Sequence, residues 1–216
     1  LIWISHRHIA GFVIRSVYLR SKPFGKLGEM EVTAVLVELR IHGRGGHGWV
    51  AMAEMIAGAA FAEGKFAQAF PYLGGGGERR GAPVQAYARI SDSPIRLREK
   101  IQEPDLVIVQ DPSIMDMVDV LAGLKPGGIL LANAEAPFEL PRKDIRAYFV
   151  PAGKIAIEII GRPIMNTALI GALARITGLV GLEAVEVAVR ERFPKEIAEK
   201  NVLAVRKAYE MAGGGQ

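Results

Sequence analysis

Residues 32–48 read VTAVLVELRIHGRGGHG, an apolar run that passes directly into a stretch with four glycines. The run from Val32 to Ile41 is rich in valine, leucine and isoleucine, which is typical of a strand buried on both faces of a sheet. Residues 49–63 are rich in alanine, contain no proline and stop at Gly64, a residue type that commonly follows a helix end. The stretch therefore predicts a strand, a tight turn and a helix.

The rest of the chain alternates between strand and helix patterns. Further strands are expected at 65–70, 84–90, 105–110, 129–132 and 147–150, and residues 95–97 are expected to pair back as a short hairpin. Asp111 and Pro112 are a typical helix N-cap and first helical residue. Helical patterns then occupy 151–160, 166–177, 183–192 and 195–211. We therefore expect an α/β fold, with a three-layer, open, largely parallel (mixed) sheet, helices on both faces, a hairpin insertion and a helical C-terminal part.

Composition excludes several kinds of chemistry. The 216 residues include no cysteine, which excludes disulfides, thiol catalysis, cysteine-type zinc sites and iron–sulfur clusters held by this chain's own thiolates. The four histidines, at positions 6, 8, 42 and 47, lack metal-ligand spacing, so we expect no metal site. The globular composition without cysteine suits a cytoplasmic protein.

The net charge of +4 is concentrated at the start of the chain. Residues 1–29 hold five basic residues and one acidic residue, so the remainder has no net charge that would attract nucleic acid. The apolar stretch in this segment is too short to span a membrane, and the first methionine is Met30. We interpret 1–29 as a leader, a translated upstream segment, with a basic surface-binding arm as the alternative. Residues 30–212 are interpreted as one domain.

The pattern Gly43-x-Gly45-x-x-Gly48 satisfies the dinucleotide-binding fingerprint. Glycines in this spacing allow a tight turn and bring backbone N–H groups close to an anion at a helix start. The acidic residue that would bind a ribose should end the next strand, where residues 70–72 are Phe-Pro-Tyr. The pattern by itself leaves open a purely structural turn, a phosphate site and a nicotinamide or flavin site.

A second glycine-rich stretch carries two adjacent arginines. Residues 74–83 read GGGGERRGAP and place Arg79 and Arg80 between glycines. Two guanidinium groups on such a loop suit a phosphate or a partner's carboxylate, and a solvated surface pair is the alternative. We expect no catalytic residue, because helix capping explains Asp111 and because His47 has no adjacent nucleophile or paired carboxylate. His47 is interpreted as a loop residue that contacts a partner or backbone.

Several stretches, in this order, resemble the gamma subunits of the 2-oxoacid (pyruvate and ketoisovalerate):ferredoxin oxidoreductases, especially the archaeal form with separate subunits. The resemblance covers residues 31–211. The stretches are IHGRGG (41–46), GKFAQAFPY (64–72), ERRGAPV (78–84), IRLR (95–98), EPDLVIVQD (103–111) and GRPIMNT (161–167). The chain departs from the family pattern at His47, where glutamine is usual, at Trp49, where small residues are usual, and in a glycine loop about two residues longer before Glu78.

The resemblance implies a multisubunit enzyme that decarboxylates a 2-oxoacid and passes electrons to ferredoxin while forming an acyl-coenzyme A. It places thiamine diphosphate and Mg on alpha and beta subunits, and 4Fe-4S clusters on cysteine-bearing subunits that include a ferredoxin-like delta subunit. Neither nucleic acid nor a membrane is implied as a partner.

For this chain, the resemblance implies a scaffold that is inactive alone and that forms a wall of the coenzyme A path. Arg79 and Arg80 are the implied phosphate ligands, and the turn glycines behind them are Gly43, Gly45, Gly46 and Gly48. Two alternatives are a freestanding dinucleotide-binding Rossmann-like protein and a purely structural assembly subunit. Residues that select the 2-oxoacid are expected on other subunits.

Overall fold

The structure is a computed structural model that describes residues 35–72 and 81–213, so the predicted leader 1–29 and the pair Arg79 and Arg80 lie outside it. The described residues form six strands: β1 (Leu36–Arg44), β2 (Phe66–Tyr72), β3 (Pro83–Ser91), β4 (Leu106–Val109), β5 (Ile129–Asn133) and β6 (Arg146–Val150). They also form five α-helices: α1 (Trp49–Ala62), α2 (Ala152–Ile160), α3 (Asn166–Thr177), α4 (Leu182–Arg192) and α5 (Lys195–Ala212).

The six strands form one open sheet in the order β2-β3-β1-β4-β5-β6. Strands β1, β4, β5 and β6 are parallel, with Ile41 opposite Ile108 and Ile108 opposite Leu131. Strand β3 lies antiparallel to both of its neighbours, β1 and β2. The expected α/β fold with a largely parallel, mixed sheet is therefore confirmed.

All five α-helices pack on one face of the sheet, where the main core lies. Alternate side chains of a strand point to opposite faces, so Leu39, Ile41 and Leu131 meet this helical layer while their neighbours point away. Buried residues of the helices, such as Met52 and Leu169, complete the core. Among the helices of the described chain, none is long and apolar enough to cross a membrane.

Helices were expected on the second face of the sheet as well, but a thinner layer covers it. Val107, Val109 and Leu130 pack there against Ile114 and Leu121 in a smaller apolar core. Between β4 and β5 the covering chain consists of loops and one short 3₁₀ helix, Pro112–Asp116. The length and the turn residues of this covering chain explain why it forms no longer helix. Gly123 has a φ of 71°, and Pro126 follows shortly after it.

Two local predictions are wrong. Residues 95–97 form no strand; they lie beside β2, where the carbonyl of Ile95 accepts a hydrogen bond from Gln68 Nε2 at 3.2 Å. The strand expected at 65–70 does not stop before Pro71, because β2 continues to Tyr72. Proline is tolerated within this strand because β2 is at the edge of the sheet.

Candidate functional site

The carboxyl ends of β1 and β4 form a crevice. After β1 the chain passes to α1 on the helical face, whereas after β4 it passes to the 3₁₀ helix on the other face. Open α/β sheets bind their ligands at such switch points, where adjacent parallel strands send their connections to opposite faces. The glycine turn 45–48 follows β1 directly and lies at this crevice.

The glycines of the turn are required for different reasons. Gly46 and Gly48 have φ values of 91° and 71°, the left-handed region that strongly favours glycine. Gly48 is also the N-cap of α1. Gly43 is limited by space instead, because a Cβ atom there would lie 2.2 Å from Gln110 Oε1. Part of the motif is therefore explained by backbone geometry and packing before any ligand is considered.

The end of the second glycine-rich stretch meets the first one. The N–H of Gly45 donates to the carbonyl of Ala82 at 2.9 Å, and the N–H of Gly81 donates to the carbonyl of Gly45 at 3.2 Å. Arg44 Nη1 donates to the carbonyl of Gly81 at 2.8 Å. Gly81 follows residues 73–80 in the chain, so the crevice adjoins the residue at which that segment ends.

Arg44 is a residue of the crevice that the sequence analysis did not single out. Its Nε donates to Asp111 Oδ2 at 2.5 Å, and its Nη2 donates to Ser113 Oγ at 2.6 Å. The signal was available, because Arg44 ends one strand and Asp111 follows the end of the parallel strand beside it. Since Asp111 neutralises this arginine, the crevice needs another source of positive charge to bind a phosphate.

Asp111 caps the 3₁₀ helix, as the sequence predicted. Its Oδ1 accepts hydrogen bonds from the backbone N–H of Ser113 at 3.0 Å and from Ser113 Oγ at 2.6 Å. Partial burial raises the pKa of Asp111, but the hydrogen bonds from Ser113 and Arg44 outweigh it and hold the pKa below its ordinary value. A carboxylate held ionised in this way anchors the crevice and is a poor general base.

Three residues with carboxamide side chains connect the core of the sheet to the glycine turn by hydrogen bonds. Asn133 Nδ2 donates to the carbonyl of Gln110 at 3.0 Å, and Gln110 Nε2 donates to Asn166 Oδ1 at 2.5 Å. Asn166 Nδ2 then donates to the carbonyls of His47 and Gly48, at 3.2 and 3.1 Å. These contacts join β4, β5 and the start of α3 to the turn. None of the three amides has a role predicted from the sequence.

The two histidines within the described residues have different environments. His47 is exposed, and its backbone carbonyl accepts a hydrogen bond from Asn166 Nδ2, so the predicted role of its ring in contacting a partner or backbone stays a prediction. His42 is buried in β1, where burial and then the charge of Arg40 lower its pKa to about 3. His42 is therefore neutral at neutral pH. Across the described ranges, no group of three or more histidine, cysteine, aspartate or glutamate residues could hold a metal ion.

The sheet order argues against a dinucleotide site. Strand β3 lies between β1 and β2, so the strand that follows α1 is not adjacent to β1. Dinucleotide sites place their ribose-binding acid at the end of the strand beside β1. Here β2 is one strand further away and ends at Tyr72. Trp49, the other departure from the family pattern, begins α1 and packs against the main core.

Comparison with known proteins assigns the chain to a family. Residues 38–211 match the family described as pyruvate ferredoxin/flavodoxin oxidoreductase, and the chain belongs to this family. It is 49% identical over 180 residues to the pyruvate/ketoisovalerate oxidoreductases common subunit gamma of Thermococcus litoralis, covering 81% of this chain and 96% of that protein. It is 47% identical over 175 residues to the pyruvate synthase subunit PorC of Methanothermobacter thermautotrophicus, covering 81% and 95% of the two proteins.

A solved structure shares the fold. The crystal structure of the pyruvate oxidoreductase subunit PORC from Thermotoga maritima has a TM-score of 0.69 and 39% sequence identity. The match covers 81% of this chain and 96% of the Thermotoga chain. The gamma subunit of a keto/oxoacid ferredoxin oxidoreductase from Geobacter sulfurreducens gives a TM-score of 0.70 at 28% identity, covering 82% and 97% of the two chains.

Proposed function

We propose that this chain is the gamma subunit of a multisubunit 2-oxoacid:ferredoxin oxidoreductase, which converts pyruvate or a branched-chain 2-oxoacid to an acyl-coenzyme A and reduces ferredoxin. One observation carries the proposal: relatives named as gamma or PorC subunits align with this chain at about half identity over nearly their whole length. The absence of cysteine supports a division of labour in which clusters are bound by other subunits.

The partners in this proposal are alpha and beta subunits that bind thiamine diphosphate and Mg, and a ferredoxin-like delta subunit that binds 4Fe-4S clusters. The assembly works in the cytoplasm. We propose that the chain alone has no turnover, because in the described part of the crevice the Ser113 hydroxyl faces Asp111, whose lowered pKa makes it a poor base. Co-purification of the native complex, followed by an assay of the isolated chain with each substrate, tests this part. Turnover by the isolated chain comparable to that of the complex would contradict it.

We further propose that the crevice between β1 and β4 forms part of the coenzyme A site. The first-turn N–H groups of α1 have no intrahelical acceptor and suit an anion, and the exposed Gly46 of the turn adds no side chain that would block the approach. Because Arg44 is paired with Asp111, the cations for the phosphates must be supplied by other residues. Arg79 and Arg80 directly precede Gly81, whose backbone is bonded to this turn, and we assign them that role.

Single Arg79→Ala and Arg80→Ala variants of the assembled enzyme test this assignment. A charge-assisted contact contributes about 1.5–3 kcal/mol, so each variant should raise the apparent KM for coenzyme A by about 10- to 150-fold. The KM for the 2-oxoacid should change much less, because decarboxylation takes place on other subunits. Arg192→Ala, at an exposed position near the end of α4, is the matched control and should leave both constants unchanged.

The same variants separate two other roles for the arginines. If Arg79 and Arg80 dock carboxylates of a partner subunit, the variants should fail to assemble, and size-exclusion chromatography will show free subunits. If the variants assemble and use coenzyme A normally, both the coenzyme A role and the docking role are rejected. That result would favour a purely structural gamma subunit.

A further inference from the structure

A cavity of about 370 Å³ lies on the face of the sheet away from the helices, above the antiparallel half. Its floor is formed by Arg40 of β1, Tyr72 of β2, and Gln85 and Tyr87 of β3. Register pairing places these residues side by side, since Arg40 is opposite Tyr87 and Tyr72 is opposite Gln85. Two loop segments complete the walls, residues 100–102 and 122–123.

The floor of the cavity includes a buried cation, Arg40, whose hydrogen bonds are incomplete. Arg40 is 6% exposed, and its Nη2 donates to the carbonyl of Val120 at 3.1 Å and to the carbonyl of Ala122. Its Nε is buried and has no hydrogen-bond partner among the residues that the structure describes. Burial lowers the pKa of Arg40, while Tyr87 and Asp119 oppose that shift. An arginine side chain nevertheless stays protonated in proteins, so the cavity has a permanent positive charge.

A second cation, Lys100, lines the same cavity. Lys100 Nζ lies 5.7 Å from the centre of the Tyr72 ring, within the range of a cation–π contact. None of the described residues that line the cavity carries a carboxylate. The charge of Asp119 raises the pKa of Arg40, but Asp119 does not line the cavity. Its Oδ1 accepts a hydrogen bond from the N–H of Leu121 at 3.0 Å. Two cations around one partly desolvated space are stabilised by an anion between them.

We infer that this cavity binds the oxyanion group of a small molecule, a phosphate or a carboxylate, between Arg40 and Lys100. The Tyr72 ring and Ile101 offer apolar surface to the body of the same ligand. Arg40 precedes Arg44 by four residues, which at the strand rise is about 13 Å, so this is a different position from the β1–β4 crevice. The inference does not depend on the proposed coenzyme A site.

Titration of the isolated full-length chain tests the inference. The probes are potassium phosphate and potassium acetate, each followed by isothermal titration calorimetry at an ionic strength held constant with potassium chloride. We expect saturable binding of at least one of them. Saturation by phosphate alone identifies a phosphate-bearing ligand, and saturation by acetate alone identifies a carboxylate.

Two variants at exposed positions locate the site without disturbing the core. Lys100→Ala should raise the dissociation constant by about 5- to 10-fold, because a partly exposed charge-assisted contact is weakened by solvent. Ala122→Glu should abolish binding, since it adds a carboxylate at the cavity wall that competes with the probe. Arg98→Ala removes the same charge two residues away from Lys100, outside the lining, and should bind like the unmodified chain.

Arg79→Ala and Arg80→Ala complete the set, because a phosphate could bind to that pair instead. If binding is lost in these two variants and kept in Lys100→Ala, the inference is overturned while the coenzyme A proposal stands. If neither probe saturates, or if Lys100→Ala and Ala122→Glu both bind normally, the inference is also overturned. Loss in Lys100→Ala and Ala122→Glu with normal binding in the arginine variants supports it.

Discussion

On the face away from the helices, the parallel half of the sheet is apolar and the antiparallel half is charged. Over β4 and β5, Val109 and Leu130 are fully buried against aliphatic side chains of the covering loops. Over β1 and β3, equivalent positions hold Arg40, His42 and Arg89, none more than 6% exposed. Burial in this protein therefore does not imply an apolar environment, and the charged half must find partners for its polar groups.

Arg89 shows how the charged half is stabilised. Its Nε donates to Glu38 Oε1 at 2.8 Å, and its Nη2 donates to the carbonyl of Glu99 at 2.7 Å. The guanidinium carbon also lies 5.3 Å from the centre of the Phe70 ring. One side chain thus connects β1, β2, β3 and the segment that crosses this face. The apolar half is held instead by packing among the aliphatic and aromatic side chains of its smaller core.

The largest effect is expected from Arg89→Ala, which leaves the Glu38 carboxylate without its cation. Breaking a buried ion pair by removing one partner costs about 3–5 kcal/mol, and we expect a free energy of unfolding lower by about 4 kcal/mol. Urea denaturation measures this change. Arg98→Ala, at an exposed position, should cost less than about 0.5 kcal/mol. A loss below about 1 kcal/mol for Arg89→Ala would show that its ion pair does not stabilise this half.

A slightly smaller effect is expected in the apolar half. Leu130→Ala should lower the free energy of unfolding by about 3 kcal/mol, because it removes buried methyl groups and leaves a cavity. The matched variant is Leu131→Ala, whose side chain points to the helical face. Loops relax around a cavity more readily than packed helices, so Leu131→Ala should cost more than Leu130→Ala. If urea denaturation shows a larger loss of stability for Leu130→Ala than for Leu131→Ala, the loops over the second face do not relax more readily than the helices.

The third prediction is that stability depends on pH through His42, which lies in the charged half of the sheet. The pKa of His42 is lowered to about 3 from an ordinary value of 6.5, so between these values the unfolded chain binds a proton that the folded chain does not. The free energy of unfolding should therefore fall as the pH decreases below 6.5, by about 2 kcal/mol between pH 7.5 and pH 5. Urea denaturation at several pH values should show a flatter profile for His42→Gln. Identical profiles would contradict the prediction.

The smallest effect is expected from shortening the chain, because we propose that residues 30–212 form the functional domain. A chain that begins at Met30 keeps both halves of the sheet and should melt within about 2 °C of the full chain. It should also join the complex. A much lower melting temperature, or failure to assemble, would show that residues 1–29 contribute to the fold or to the subunit contacts.

The elements that could be predicted were those with a strong local pattern. Strand β4 reads Leu-Val-Ile-Val and ends at Val109, and Asp111 and Pro112, two and three residues later, mark the helix cap that the structure contains. Residues 95–97 were misassigned to a strand, and the contact that Ile95 makes with β2 is a hydrogen bond from the Gln68 side chain, which no local pattern encodes. The thin layer over the second face was also missed, since the helical start at Pro112 lasts only five residues.

The candidate site was predicted only in part. The glycine turn is recognisable because its spacing is local, and Gly46 and Gly48 do have the left-handed backbone that such turns need. The support from Asn166 was not predictable, because it donates to His47 and Gly48 across more than a hundred residues of sequence. Arg40 and Lys100 were missed for the same reason, since only the folded sheet places them around one cavity.

The close approach of Gly43 to Gln110 has a consequence for how the family can vary. A Cβ atom at position 43 would lie 2.2 Å from Gln110 Oε1, so a side chain there requires the Gln110 carboxamide to move or to be replaced. A relative with alanine or serine at 43 should carry a shorter residue at 110. A shorter residue at 110 would lose the hydrogen bond to Asn166, the first residue of α3. A change at Gly43 therefore also affects the partner of Asn166.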